Sequence, residues 1–280
     1  MDTVYRVMDT LLPFGFLRFT FMKNALLAML LLTPLLSLLG TMAVNQRMAF
    51  FSDALGHSAL AGVGLGMLLG VQNVTLSLVV FGVLFAVLVS TVNRSGAATK
   101  DTTISVFSSM GIALGLLLLS RDGKFSNYSS LLTGDILSIG QGDLLWLLVG
   151  LIAGVVVWAF LYNKLLVSAV SPELAESRGV RTRYLEYAFA VLVAVAVMLS
   201  IRWVGVLLIN ALLILPAAAA RNVTRSAAQH ALWSVVFGLV SGVAGLAISY
   251  ALNTGVGAAV VLCAGLIYFV TLLIRRLTVK

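Results

Sequence analysis

The chain of 280 residues is 61% hydrophobic and 10% charged, where soluble domains carry about a quarter charged residues, so it reads as an integral membrane protein and a water-soluble fold is excluded. Its net charge of +8 comes from 18 Lys and Arg against 10 Asp and Glu; in a membrane protein such an excess belongs to cytoplasmic loops, and nucleic acid is not an expected partner. The single cysteine, Cys263, admits no intrachain disulfide, and two histidines are too few for a four-ligand structural zinc site.

From the N-terminus, the polar stretch through Lys23 carries no short apolar core with a cleavage site, so no cleavable signal peptide is expected. The patch LLPFGFLRF (Leu11 to Phe19) reads as interfacial, within an N-terminal interfacial segment over residues 1–24. Roughly 20 apolar residues per crossing then places spans at about 25–45, 50–70, 74–93, 103–120, 144–163, 185–202, 204–220, 231–251 and 255–274. The fold class is therefore all-α: a polytopic transmembrane helical bundle of about 8–9 spans, forming a single domain over the whole chain.

Two places interrupt this pattern. In the 185–220 region only Arg202, Trp203 and Val204 separate two helices, so one is expected to be short or re-entrant. The run LLTGDILSIGQGD (Leu131 to Asp143) is broken by Gly134, Gly140 and Gly142 and is expected to form a short interfacial helix.

Basic residues set the orientation. Arg94 with Lys100, Lys164 with Arg178, Arg181 and Arg183, Arg221 with Arg225, and the tail Arg275, Arg276 and Lys280 all fall on one side, which the positive-inside rule makes cytoplasmic, the C-terminus with it. An odd number of crossings puts the N-terminus outside, which Arg6, Arg18 and Lys23 resist.

The second span carries the most informative residues. Asp53 and His57 lie one helical turn apart on one face of an otherwise apolar, small-residue run, Met48 to Gly70. A carboxylate at the centre of a membrane helix costs on the order of 2.5–3.5 kcal/mol on insertion scales, so it needs a partner or a task. Carboxylate oxygen and imidazole nitrogen together suit a divalent transition metal such as zinc, manganese or iron. Each residue also has a plainer reading: Asp53 as a helix N-cap, His57 as a buried neutral imidazole bonded to a neighbouring helix. Beside the pair, Ala54, Ser58, Gly62, Gly66 and Gly70 recur every fourth position, a stripe against which another helix should pack closely. Weaker pairs at Gly111 and Gly115, Gly150 and Gly154, and Gly238 and Gly242 also indicate a bundle.

Between the fifth and sixth spans, Val167 to Tyr184 spells a helix of about two turns over 171–179. Ser171 caps it, Pro172 suits the first helical position, Glu173 suits the positive end of the dipole and Gly179 the left-handed stop. Flanked by spans and too short to fold alone, it is expected to dock into something; a partnerless surface loop is the plainer reading. No GxxxxGK[ST] or GxGxxG run occurs, so an ATP motor would have to be another polypeptide.

In the seventh span, Pro216 removes one backbone hydrogen bond and frees the carbonyl near Leu212. Asn210 either faces a path or bonds to another helix. His230, among Arg225 and Gln229, reads as a surface residue, and Met29, Met42, Met67, Met110 and Met198 are scattered as packing residues.

On the elements FFSDALGHSALAGVGLG (50–66), LLTGDIL (131–137), VSPELAESRGV (170–180), WVGVLLINALLILPAAAA (203–220) and GLAISYALNTGVGAAVVL (245–262), the chain resembles the permease subunits of bacterial ABC importers for divalent metals. The resemblance implies a subunit that is not itself an enzyme and holds no permanent cofactor, only the transported zinc, manganese or iron in passing. It implies three partners: a cytoplasmic ATPase dimer, an extracytoplasmic metal-binding protein, and a second permease subunit, a copy or a paralogue. The expected location is the bacterial plasma (inner) membrane. By the same resemblance Asp53 and His57 match metal-path positions, and Ser171, Pro172, Glu173, Leu174, Ala175, Glu176 and Gly179 match the coupling helix seated in the ATPase. One departure is Ser52, where many relatives have glycine; it would add a ligand oxygen or cap the helix. Ser52 and Asn210 are the secondary candidates for lining the path. The rival reading is an ion-gradient-driven secondary transporter, separable by the absence of a co-purifying ATPase. An intramembrane hydrolase is disfavoured, because there is no second acid at matching depth, no HExxH and no GxSG.

Overall fold

The structure is a computed structural model, and it describes residues 5, 19–96, 98–121, 128, 131 and 134–278. The expected interfacial segment lies largely outside these residues; within it, Thr20 to Asn24 already belong to the first long helix.

Among the described residues nine α-helices follow one another: α1 Thr20–Asn45, α2 Phe51–Leu68, α3 Val74–Arg94, α4 Lys100–Arg121, α5 Gln141–Val170, α6 Pro172–Ser177, α7 Thr182–Val223, α8 Ala227–Leu252 and α9 Val256–Thr278. No strand occurs among the described residues. Seven of the helices, all but α2 and α6, are long and apolar enough to cross a membrane. The chain is thus a multi-pass membrane protein.

At 42 residues α7 would run about 63 Å if straight, twice the thickness of a hydrocarbon core. It does not run straight, because Gly205 has φ 78° and ψ 161°. That region of backbone space is essentially restricted to glycine. The first half pairs antiparallel with α3, with Glu186 beside Arg94 and Met198 against Gly82. The second half runs parallel to α1, with Leu212 beside Ser37 and Leu213 and Ala217 against Gly40. Both expected spans are therefore present, but Arg202, Trp203 and Val204 are helical, and the break falls at Gly205 alone.

The Leu131 to Asp143 run also departs from expectation. Among its described residues it forms one 3-10 turn, Ile136–Ser138, and Gln141 already starts α5. The reason is a cap: the carboxylate of Asp143 accepts from the amide of Gly140 at 3.0 Å and begins the helix earlier than hydrophobicity does. Asn24 at the start of α1 donates to the carbonyl of Ile139 at 2.9 Å, and Gln46 just past its end donates to the carbonyl of Leu165 at 3.1 Å, so α1 and α5 run parallel in register.

Close backbone approach builds the interior, as expected where lipid removes the hydrophobic drive between helices. Two helices share the small-residue stripe of α2: Gly62 and Gly66 face Phe81 and Ser77 of α3, while Ser58, Leu60 and Ala61 face Gly111 and Gly115 of α4. The other small pairs seat helices on α1, with Gly154 of α5 against Leu35, and Gly238 and Gly242 of α8 against Thr33 and Met29. The proline-freed carbonyl of Leu212 finds a donor across the bundle in the hydroxyl of Ser37, at 3.4 Å.

Candidate functional site

Almost every residue of α2 is buried, being flanked by α3, α4 and the second half of α7. The exception near its start is one face bearing Phe50, Asp53 and His57. The side chains of Asp53 and His57 are 48% and 41% exposed, although their neighbours Ser52, Ala54 and Leu55 are at most 1% exposed. The polar pair thus opens onto a surface that this chain alone does not cover.

Phe50 occupies the N-cap position without a side-chain cap bond, and Asp53 is the third residue of the helix. The carboxylate is therefore not a cap. Its Oδ1 accepts from Nδ2 of Asn210 at 2.7 Å and lies 3.4 Å from Nε2 of His57. Asn210 arrives from the second half of α7, the segment redirected by Gly205, and Val206 one turn earlier packs on Gly56. The asparagine makes an interhelical hydrogen bond, as its plainer reading had it, and its partner is the candidate carboxylate itself. The His57 ring meets no neighbouring helix through a hydrogen bond among the described residues.

Ser52 is buried, and its hydroxyl has no hydrogen-bond partner among the described residues. One position along a helix turns a side chain by about 100°, which carries Ser52 off the open face. No group of three or more His, Cys, Asp and Glu comes together among the described residues. One chain therefore offers an ion a carboxylate, an imidazole and a nearby amide. That set falls short of the four ligands usual for a closed transition-metal site.

The segment after α5 folds as its residues require. The Ser171 hydroxyl accepts from the amide of Leu174 at 3.2 Å and donates to the Glu173 carboxylate at 2.9 Å. Glu173's own backbone amide and that hydroxyl hold its carboxyl below the usual carboxylate range. At the other end Gly179 has φ 75°, with Val180 donating to the carbonyl of Ala175 and Gly179 to that of Glu176. This is a Schellman stop. Helix α6 spans Pro172–Ser177, with Ala175 buried against the bundle and Leu174 44% exposed.

His230 is a correction to the sequence reading: it is buried, and its Nε2 lies 2.9 Å from the carbonyl of Ala217. The start of α8 packs against α7, so a residue flanked by polar neighbours in sequence turns inward.

The chain is thus a polytopic helical bundle with a half-open Asp–His pair on the enclosed helix α2 and a doubly capped short helix between two spans. The family model for the ABC 3 transport family matches residues 18–275, and the chain belongs to that family. It is 31% identical over 262 residues to the high-affinity zinc uptake system membrane protein ZnuB of Haemophilus influenzae, covering 92% of this chain and 99% of that protein. To the manganese transport system membrane protein MntC of Listeria innocua it is 29% identical, covering 92% of each. Among solved structures it resembles PsaBC from Streptococcus pneumoniae in complex with Fab, with a TM-score of 0.78, 27% identity, and coverage of 97% of this chain and 95% of that one.

Proposed function

We propose that this chain is the permease subunit of an ATP-binding cassette importer that moves a divalent transition metal of the zinc, manganese and iron class into the cytoplasm. The observation that carries the reading is the Asp53–His57 pair, half-exposed on an otherwise enclosed helix and steadied by Asn210. Relatives named for zinc and for manganese stand at 31% and 29% identity, which fits a pair suited to the whole class, with selection among ions left to geometry and delivery. The uncovered face calls for a second permease subunit whose corresponding pair completes a site of up to four ligands. An extracytoplasmic binding protein delivers the ion.

The motor is a separate ATPase dimer, and α6 is the element that meets it, with Leu174 as the apolar contact. The gathering of arginines and lysines at the α6 end makes that end cytoplasmic and keeps the C-terminus inside. ATP binding and release tilt the packed helices around the metal position, exposing it alternately to either side. The protein does no chemistry on its cargo.

The test is uptake of labelled zinc and manganese into cells carrying Asp53→Ala or His57→Ala. Both variants should insert, associate with the ATPase and fail to accumulate metal. Accumulation at the normal rate in either would refute the site.

A further inference from the structure

We infer that the cavity between the ends of α1, α5 and α7 and the start of α8 binds a phosphate group, supplied by the headgroup of an anionic phospholipid. The cavity holds about 290 Å³ and is lined by Arg221, Arg225, Asn45 and the buried His230, with no acidic residue in its wall. Neither guanidinium has a carboxylate within ion-pair distance among the described residues. Two arginines and the amide-bearing start of a 26-residue helix converge there, a combination that favours an anion. The fold holds that end of α8 in place. The amide of Gln229 donates to the Ser226 hydroxyl and the amide of Arg225 to the Gln229 side chain, both at 3.3 Å. The carbonyl of Ala217 accepts only, so the His230 ring carries its proton on Nε2 and is locked against α7.

Lipid is favoured over free phosphate because the cavity is amphiphilic. Its α5 wall includes Leu166 and Val170, and Val170 is 79% exposed beside the arginines, which gives an acyl chain a surface continuous with the headgroup site. Basic pockets between spans at the cytoplasmic interface are recognised acceptors of anionic headgroups. Placing the site in the cytoplasmic leaflet rests on the orientation proposed above. The site also adjoins Ser171, the cap of α6, so an occupant would touch the root of the helix assigned to the ATPase.

The experiment is native mass spectrometry of the purified full-length chain titrated with phosphatidylglycerol, phosphatidylcholine or inorganic phosphate. Phosphatidylglycerol should be retained in preference to phosphatidylcholine. The double variant Arg221→Ala, Arg225→Ala should weaken that retention about tenfold or more, from roughly one interaction lost per arginine. Arg221→Lys with Arg225→Lys should restore most of it, and Arg202→Ala, near the break at Gly205, should change nothing. Equal retention of the two lipids, or a double variant that binds like the parent, overturns the proposal. Displacement of phosphatidylglycerol by inorganic phosphate at equal affinity overturns the lipid source. The readout needs no metal, so a failure of the transport reading shows in uptake and a failure here shows in lipid retention.

Discussion

Asn210 donates to the same carboxylate oxygen that faces His57, so it fixes the carboxylate's orientation while leaving its other oxygen without a hydrogen bond among the described residues. Groups that orient a metal-binding side chain typically govern 10–100-fold in affinity or activity. Asn210→Leu should therefore raise the metal concentration for half-maximal uptake by about 10-fold or more while the transporter still assembles. An unchanged concentration dependence would show that the hydrogen bond is only structural. Protons compete for the same imidazole. Holding an ion needs a neutral His57 and an ionised Asp53, so transport should decline as pH is lowered into the range where the imidazole takes up a proton. Vesicle uptake at pH 5.5 and 7.5, with saturating binding protein, measures this directly; equal rates would count against a histidine ligand. At this scale the sequence showed that Asp53 and His57 share a face, because a four-residue spacing on a helix fixes it. It did not show that Asn210 meets Asp53, since a contact across 157 residues of separation depends on how α7 is bent.

That bend is a property of the element. Gly205 takes a conformation that an added Cβ opposes at a cost of order 1–3 kcal/mol. Gly205→Ala should swing the second half of α7 away from α2 and lose transport, with a lowered Tm of the purified protein as the structural readout. Gly40 is constrained differently: a methyl group there would overlap the carbonyl of Leu213, so Gly40→Ala should cost about 1–3 kcal/mol of overpacking and reduce the yield of folded protein. Normal yield and Tm would show that α1 and α7 can separate. For α6, Leu174→Asp should leave the permease folded but sharply reduce co-purification of the ATPase, since that side chain is partly exposed. The element scale was the most legible. Seven helices follow from hydrophobic length, the expected 50–70 span being the exception as the shorter α2, and the limits of α6 follow from Ser171, Pro172 and Gly179, whose preferences are local. The Gly205 break escaped reading because a lone glycine in an apolar run has the same sequence signature whether it is helical or a hinge. His230 was misplaced for a related reason, as burial there is decided by α8 packing on α7.

For the whole molecule, the central feature is an incomplete site. A helix enclosed by three neighbours leaves one face open, and that face holds both ionisable groups of the helix. Two such faces placed together would enclose a path without any chain owning a full ligand set, which allows release as well as capture. Ion pairs at the α6 end, where Glu186 lies 3.0 Å from Arg94 and 4.0 Å from Lys100, join the start of α7 to the end of α3 and the start of α4. The most direct measurement of this account is X-ray absorption at the zinc edge of the assembled transporter loaded with zinc. It should show nitrogen and oxygen ligands with imidazole scattering at about 2.0–2.1 Å, abolished in His57→Ala and retained in His230→Ala. An imidazole signal that survives the loss of His57, or none in the parent protein, would contradict it.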